Sequence, residues 1–387
     1  MSTAVENASA ETVGFSEPEA NKLFRMVMKY KGSDLHLKVG LAPAMRLSGV
    51  LRQMQLPPLS EPDMERLMFP LLTSRQRSLL EDEGGVDFAH IVIDPNGDET
   101  RFRVNLFRQR GKLSLVARRV NTSIPDFEGL GLPNVLGDIA SADQGIIILA
   151  GVTGSGKSTT IASMLQYVNK KERCHIVTIE DPIEFTFKDD KSIINQREVG
   201  IDVIDWDTAL KHAVRQDPDI ILVGEMRDQD TFKAALHAAE TGHLVFGTIH
   251  ASSAPSTISR ILDLFPQDMH PAMRQNLAFN LKAVIAQKLL ITSPEYKEKS
   301  GAGRVPLVEI MRMNPTVRKL ILNEEDIKLA DAIRIGKEEG MVDFTESLRL
   351  LVVEEKIERA TAFEVAPNVE ELKMALKGIT IRQPGIL

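Results

Sequence analysis

The 387-residue sequence predicts an α/β protein in which a smaller α+β domain precedes a larger domain built on a parallel sheet. Apolar segments typical of buried strands alternate with helical segments in the second part of the chain, and a glycine-rich loop joins the first such strand to a helix. Earlier, short alternating segments are mixed with amphipathic helices, as in an α+β domain. The buried-type strands are IIILAG, HIVTIE, DIILVGE and HLVFGTIH.

Composition excludes several classes of protein. Apolar residues make up 43% and charged residues 26%, which is ordinary for a globular chain and excludes collagen-like or wholly disordered proteins. The net charge of −7 provides no basic field for a nucleic-acid backbone, so we expect no nucleic-acid partner. The single cysteine, Cys174, excludes an internal disulfide and a four-cysteine zinc site. With no apolar run of membrane-spanning length and no signal-peptide pattern, we expect a cytoplasmic protein without direct membrane insertion.

The first part of the chain predicts a tail and then a compact domain. Residues 1–18 are small, polar and acidic without periodicity, which predicts a disordered tail. Residues 19–120 predict an N-terminal α+β domain. Its expected elements are a helix over 18–32, strands over 33–39 and 43–52, helical segments over 60–85, and a strand pair over 101–107 and 113–120.

The second part of the chain predicts the larger domain. Residues 121–134 contain two prolines and two glycines, which predicts an extended interdomain linker before a domain over 135–387. From about residue 270 the pattern predicts helices, with a C-terminal helical region from about residue 300. The expected apolar stripes are Leu277, Leu281, Val284 and Ile285 for the first, and Phe344, Leu348, Leu351 and Val352 for the second.

The strongest functional signal is the loop GVTGSGKST at residues 151–159, which fits the phosphate-binding pattern G-x-x-x-x-G-K-[S/T]. The flanking strand and helix argue against a chance glycine-rich turn. In such a loop backbone N–H groups surround the phosphates, Lys157 reaches the β- and γ-phosphates, and Ser158 ligates Mg²⁺. The candidate nucleotide-binding residues are Gly151, Thr153, Gly154, Ser155, Gly156, Lys157, Ser158 and Thr159.

Three carboxylates gather at the carboxyl end of the strand HIVTIE: Glu180 is its last residue, and Asp181 and Glu184 lie in the turn that follows. A carboxylate at this position can deprotonate the water that attacks a nucleotide, although the spacing does not select one of the three. The alternative is a solvated acidic turn stiffened by Pro182.

Two later strands carry further candidates. DIILVGE ends in Glu225, a candidate metal or water ligand, while Gly224 stands where P-loop NTPases commonly have Asp. His250 follows the next strand and His243 precedes it; a lone histidine is more often structural than functional. In the first domain Arg103 and Arg118 are candidates for contacting phosphate, against the favoured alternative of a solvent-facing strand pair.

Seven segments together resemble a known family in both order and spacing: SDLHL, RFRVN, GVTGSGKST, TIEDPIEF, QREVGID, RQDPDIILVGEMRD and AETGHLVFGTIH. They are similar to the type IV pilus retraction ATPases, the PilT/PilU family, and the likeness covers about residues 20–370. GEMRD and FGTIH resemble PilT, whereas LVARRVNTSIPDFEGLGLP and NLKAVIAQKLL resemble PilU, so these segments do not select one branch.

The resemblance implies a PAS-like N-terminal domain, a RecA-like ATPase domain and a homohexameric motor that uses ATP and Mg²⁺ to retract pili. It implies an inner-membrane platform protein as partner, a position at the inner membrane through that machine, and a PilT/PilU paralogue ring as a further partner. It assigns Glu184 as general base, Glu225 as metal-site carboxylate, His250 and His243 as His-box residues, and Arg103 and Arg118 as phosphate-clamping arginines.

Three alternatives follow from the same residues. An accessory PilU-type ring would depend on a PilT partner for turnover. An assembly or type II secretion ATPase usually carries a four-cysteine zinc site, which one cysteine cannot form. A RecA-like nucleic-acid translocase would need a basic groove with aromatic side chains, but the sequence has one Trp, three Tyr and a net charge of −7.

Overall fold

The computed structural model describes residues 17–94 and 97–379. The chain divides into two compact units, Met1–Val120 and Asn121–Leu387. The expected tail over 1–18 lies almost entirely outside the described residues. Within the described ranges, no helix has both the length and the apolar character needed to cross a membrane.

The described part of the first unit forms an antiparallel six-stranded sheet with helices packed against it, and its strand order is β3-β2-β1-β6-β5-β4. Its helices are α1 (Asn21–Lys29), α2 (Glu61–Met68) and α3 (Ser74–Asp82). Its strands are β1 (Asp34–Lys38), β2 (Ala44–Leu47), β3 (Val50–Gln53), β4 (Gly85–Ile93), β5 (Glu99–Gln109) and β6 (Lys112–Arg119).

Local sequence signals explain where helices α2 and α3 begin. Ser60 and Thr73 each cap a helix, because the side chain accepts the backbone N–H of the third helical residue. In return the side chain of that third residue, Asp63 or Gln76, accepts the backbone N–H of the cap. Phe24 of α1 packs edge-on to Phe102 of β5, with ring centroids 4.9 Å apart, inside an apolar core. Strand β4, which is missing from the predicted elements, pairs with β5 along its whole length.

The described part of the second unit is a seven-stranded sheet in the order β13-β12-β7-β11-β10-β8-β9, covered by helices. All neighbouring pairs are parallel except β12 with β13. The strands are β7 (Gly145–Ala150), β8 (His175–Glu180), β9 (Ile193–Glu198), β10 (Ile220–Val223), β11 (Leu244–Ile249), β12 (Leu281–Ile291) and β13 (Arg304–Arg312). This arrangement confirms the predicted α/β class and parallel sheet.

Helices of the second unit precede β7, connect most of the strands from β7 to β13, and continue beyond β13. Those that precede β12 are α4 (Phe127–Leu130), α5 (Val135–Ala140), α6 (Lys157–Lys171), α7 (Trp206–Ala213), α8 (Gln229–Glu240), α9 (Ala254–Leu262) and α10 (His270–Asn280). Those that follow it are α11 (Pro294–Ser300), α12 (Pro315–Leu322), α13 (Leu329–Ile335), α14 (Phe344–Val353), α15 (Arg359–Val365) and α16 (Val369–Leu376).

The predicted helix through Leu281, Val284 and Ile285 is wrong, because these residues lie in strand β12. Helix α10 ends at Asn280, and residues 283–287 are then buried without interruption between β7 and β13. A strand covered on both faces has a continuous apolar run, and such a run shows no period that separates it from a buried helix. Strand β13 likewise lies in the region expected to be helical from about residue 300; the C-terminal helices begin after it.

The segment over 121–134, expected to be an extended linker, packs on the second unit. The carbonyl of Asn121 accepts the N–H of Thr186 at 2.9 Å. Phe127 is buried at the start of α4, and its ring lies 5.4 Å from that of Tyr167 on α6. Apolar side chains between the turn residues thus anchor this segment.

Candidate active site

The sheet order places the sequence motifs of the second unit at one edge. Strands β8, β10, β11 and β7 are parallel neighbours, so the turns that follow their carboxyl ends lie side by side. These turns are the acidic turn, the segment beginning at Gly224, the segment beginning at His250 and the phosphate-binding loop. They surround a cavity of about 520 Å³. Its lining includes Gly154, Lys157, Ser158, Glu184, Glu225 and His250.

Glycines shape the phosphate-binding loop between β7 and α6. Gly154 and Gly156 have φ values of +77° and +90°, a left-handed backbone conformation that residues with a Cβ rarely adopt. Gly156 is also the N-terminal cap of α6, whose first N–H groups and dipole favour an anion at this end. At Gly151 an added Cβ would come within 2.5 Å of the Gln287 carbonyl oxygen, so the chain passes too close for any other residue.

Lys157, the first residue of α6, folds back over this loop. Its Nζ donates to the carbonyl oxygens of Gly151 and Val152 at 2.8 and 3.1 Å. Burial lowers the pKa of Lys157, and the negative charge of Glu225 opposes that effect. The ammonium group is therefore held by carbonyl oxygens of the loop and lies close enough to Glu225 to be affected by its charge.

The three candidate carboxylates at the end of β8 and in the acidic turn after it differ in burial. Glu180 is only 9% exposed, and its Oε1 accepts Thr178 Oγ1 at 2.7 Å and Gln196 Nε2 at 3.1 Å. Burial raises the pKa of Glu180, against the lowering effect of these bonds and of the Glu184 N–H. Glu184 and Asp181 are exposed residues that line the cavity.

Gln196 of β9 holds the acidic turn in place from the neighbouring strand. Besides Glu180, its Nε2 donates to the Phe185 carbonyl at 2.8 Å, and its Oε1 accepts the Phe187 N–H at 2.9 Å. These contacts lie on both sides of the turn and next to Glu184. The segment QREVGID contributes to the site through this amide, a role that its sequence pattern does not reveal.

Glu225 is the centre of an ionic cluster. Its carboxylate lies 2.6 Å from an Arg227 nitrogen and 3.1 Å from His250 Nε2. Burial would raise the pKa of Glu225, but Arg227, His250 and Lys157 together lower it below the usual range. The chain on either side of Glu225 is fixed by Thr248, whose Oγ1 donates to the Gly224 carbonyl and whose carbonyl accepts the Met226 N–H. The backbone around Glu225 is thus held on both sides, and its carboxylate is an ionised oxygen donor.

Close packing accounts for the glycine before Glu225. A Cβ at position 224 would lie 3.1 Å from the Ile179 carbonyl oxygen, 3.2 Å from the Trp206 ring and 3.3 Å from the Glu180 Cα. Trp206 begins α7 and lines the same cavity. The space that an aspartate would require is therefore occupied by the indole ring and by β8.

The two histidines lie at opposite ends of strand β11. His250 follows the carboxyl end of β11 and faces Glu225 in the cavity. His243 precedes the amino end of β11, where its Nδ1 lies 2.8 Å from the Ala238 carbonyl and 3.2 Å from Thr241 Oγ1. The structure therefore brings His250, and not His243, to the phosphate-binding loop of the same chain.

Arg103 and Arg118 belong to the first unit and face each other across β5 and β6. Arg118 is 74% exposed, yet its Nε donates to Asp34 Oδ1 at 2.9 Å. The Asp34 carboxylate is 5% exposed and also lies 3.7 Å from Arg46. Burial would raise the pKa of Asp34, but Ser33 and Arg118 hold it below its ordinary value. A buried carboxylate therefore fixes the base of the Arg118 guanidinium.

Ser158 and Glu225 offer the oxygen donors that Mg²⁺ prefers, a hydroxyl and an ionised carboxylate, and both line the cavity. In residues 17–94 and 97–379 no group of three or more His, Cys, Asp or Glu side chains is arranged as a complete metal site. Mg²⁺ at nucleotide sites takes few protein ligands and completes its shell with phosphate oxygens and water. The residues present therefore fit a magnesium–nucleotide pair and not a metal held by protein alone.

Comparisons with known proteins agree with this geometry. A family model described as "Type II/IV secretion system protein" matches residues 9–353. Two relatives come from Pseudomonas aeruginosa. "Type IV pilus retractation ATPase PilT" is 40% identical over 90% of this chain and 98% of its own length, and "Type IV pilus ATPase PilU" is 35% identical over 93% and 91%. The "Crystal Structure of the Pilus Retraction Motor PilT and Bound ADP" aligns with a TM-score of 0.81 at 39% identity, covering 92% of this chain and 99% of that one.

Proposed function

Because the chain belongs to the type II/IV secretion system protein family and, within it, to the PilT/PilU group, we propose that it is an ATP-hydrolysing motor that powers type IV pilus retraction. The observation that carries the proposal is the shared cavity at the edge of the parallel sheet. A phosphate-binding loop, an ionised Glu225 and an exposed Glu184 all line it. The relatives named for pilus retraction support the biological role.

ATP is the proposed substrate, and the loop over 151–159 binds its phosphates. Backbone N–H groups and the α6 N-terminus donate to phosphate oxygens, and Lys157 exchanges its two carbonyl acceptors for the β- and γ-phosphates. When bound, Mg²⁺ would neutralise charge on the β- and γ-phosphates, with Ser158 and Glu225 as its protein-side oxygen donors.

Glu184 is the proposed general base. It accepts a proton from the attacking water as a new O–P bond forms to the γ-phosphorus, and the bond to the bridging β–γ oxygen breaks to leave ADP and phosphate. Glu180 lies nearby, but its carboxylate is buried and already accepts bonds from Thr178, Gln196 and the Glu184 N–H. Glu184 is exposed to the cavity, which favours it over Glu180.

Glu225 and His250 complete the proposed catalytic set. The lowered pKa of Glu225 keeps it ionised at neutral pH, as a metal-site carboxylate must be. His250 contacts Glu225 and lines the same cavity, so its ring is placed to respond to a γ-phosphate there. By the family resemblance we also propose that Arg103 and Arg118 contact nucleotide phosphates.

The proposed assembly is a homohexamer that acts on an inner-membrane pilus platform protein, with a PilT/PilU paralogue ring as a further partner. The proposed location is the cytoplasm, peripheral to the inner membrane through the pilus machine. The net charge of −7 argues against nucleic acid as the substrate on which the motor moves.

The test is replacement of the chain by its Lys157→Ala variant in the bacterium that produces it. We expect cells that keep surface pili but no longer retract labelled pili or move by twitching. An exposed substitution on another helix, Lys297→Ala, serves as the matched control and should leave retraction intact. Loss of pili in the Lys157→Ala cells would instead indicate an assembly or secretion ATPase.

A further inference from the structure

Strand β12 places one buried amide directly beneath the phosphate-binding loop. In the parallel pairing of β12 with β7, Ala286 lies opposite Ala150, the last residue before the loop. Gln287 is the next residue and is only 3% exposed. A buried amide must satisfy its polar atoms within the protein, so its partners indicate what it holds.

Both ends of the Gln287 carboxamide bind the loop or the helix that follows it. Nε2 donates to the Ser155 carbonyl at 2.9 Å, and Oε1 accepts Thr160 Oγ1 at 2.7 Å. The approach is close: a Cβ at Gly156 would lie 2.7 Å from Gln287 Nε2. One side chain therefore joins the loop, the first turn of α6 and β12.

The bond to Ser155 fixes the direction of the next backbone donor. In a trans peptide the carbonyl and the following N–H point in opposite directions. Because Gln287 holds the Ser155 carbonyl from the β12 side, the Gly156 N–H points away from β12. Gly156 lines the cavity, so this N–H is held where a phosphate oxygen could accept it.

We propose that Gln287 is a positioning residue for nucleotide binding: its carboxamide orients the Ser155–Gly156 peptide and the start of α6 toward the phosphates. This inference rests on the proposed function, since it concerns the same nucleotide. In this proposal β12 contributes to nucleotide binding indirectly, because Gln287 bonds Ser155 and Thr160 and does not contact the nucleotide.

The experiment measures the affinity of the full-length chain for ADP with Mg²⁺ by calorimetric titration. Three variants are compared with wild type from about pH 5.5 to about pH 9, a range that covers the titration of a buried carboxyl group. Gln287→Leu removes both bonds, and Gln287→Glu leaves a donor only while its carboxyl is protonated. Gln216→Leu changes an exposed glutamine near the amino end of β10 and is the matched control.

The proposal predicts that Gln287→Leu binds ADP about tenfold more weakly at every pH, as expected for the loss of a buried hydrogen bond. Gln287→Glu should be at least as weak at high pH and should recover toward wild type as the pH falls. In steady-state turnover, KM for ATP should rise in both variants with kcat changed less, because an oriented donor contributes to ground-state and transition-state binding alike.

Wild-type affinity in Gln287→Leu, or a Gln287→Glu defect of the same size at every pH, would overturn the proposal. The pH recovery is measured within one folded variant, so it also decides the matter if Gln287→Leu does not fold. Failure of the wild-type chain to bind ADP would instead refute the proposed function. Normal wild-type binding with unaffected variants would refute the role of Gln287 alone.

Discussion

The buried carboxylate of Glu309 makes folding stability dependent on pH. Glu309 lies on β13, is 6% exposed, and its Oε2 accepts the N–H of Ala254, the first residue of α9, at 2.6 Å. Burial raises its pKa from the ordinary 4.5 to about 7, and the charge of Asp343 adds to this. The N–H groups of Ala254 and Phe344 and the charge of Lys288 act in the opposite direction.

The sign follows from proton binding. Between pH 4.5 and about 7 the folded chain holds a proton on Glu309 that the unfolded chain has lost, so the free energy of unfolding falls as the pH rises through this window. Each pH unit of difference between folded and unfolded pKa is worth about 1.4 kcal/mol, which gives a loss of about 3 kcal/mol by pH 8. Glu309→Gln removes the titration and should stabilise the chain at high pH relative to wild type.

The assay compares thermal midpoints of Glu309→Gln and wild type at about pH 5 and about pH 8, on either side of most of this titration. About 2.5 kcal/mol of this loss falls between the two pH values, so for a unit of this size we expect the difference in midpoint to shift in favour of the variant by about 5 to 10 °C. The exposed Glu298→Gln is the control and should show no such shift. An equal difference between Glu309→Gln and wild type at both pH values would refute the reasoning.

Three further predictions concern the site. Gly224→Asp places side-chain atoms against the Trp206 ring and β8. It should destabilise the chain by about 1 to 3 kcal/mol and lower the thermal midpoint. An unchanged midpoint would show that the space can open. Arg227→Ala removes the nearest cation to Glu225, so the pKa of Glu225 should rise. The acidic limb of the pH profile of kcat/KM should therefore move to higher pH, and a profile superimposable on wild type would contradict this. Lys157→Ala should weaken ATP binding by about 10- to 100-fold in a direct titration, because it removes a charged donor from the loop; retained affinity would exclude Lys157 from phosphate binding.

The sequence was sufficient to predict the parallel sheet and the place of the phosphate-binding loop. Glycines at 154 and 156 are needed for left-handed backbone, and the lysine and serine after them belong to a motif with fixed spacing. The carboxyl ends of neighbouring parallel strands meet at one edge of a sheet, so the sequence pattern could group the turn of Glu180, Asp181 and Glu184 with Glu225 and His250. The choice of Glu184 among the three carboxylates came only from the family resemblance.

Strand β12 and the amides of the site could not be predicted in the same way. The run from Ala283 to Gln287 is buried on both faces, so it lacks the alternation that distinguishes a strand from a helix. Gln287 acts through hydrogen bonds to residues 127 and 132 positions away, and Gln196 through bonds to residues 9 to 16 positions away on the preceding turn and strand. A single glutamine has no local pattern that reveals such partners.

The roles of the acidic residues also needed three-dimensional contacts. Glu180, the last residue of β8, and Glu184, in the turn after it, are equally plausible from spacing. The family resemblance favours Glu184, and in the structure burial and bound donors distinguish the two carboxylates. The glycine at 224 departs from a common pattern, and the reason, the Trp206 ring, lies on a different element.

Hydrolysis itself is checked by the steady-state ATPase activity of the purified chain, with wild type compared to Glu184→Gln at matched oligomeric state. Wild type should release phosphate from ATP, and Glu184→Gln should lose turnover by at least about 100-fold while ATP binding is retained. Turnover in Glu184→Gln close to wild type would contradict the assignment of the base, and negligible turnover in the wild type would contradict an autonomous motor.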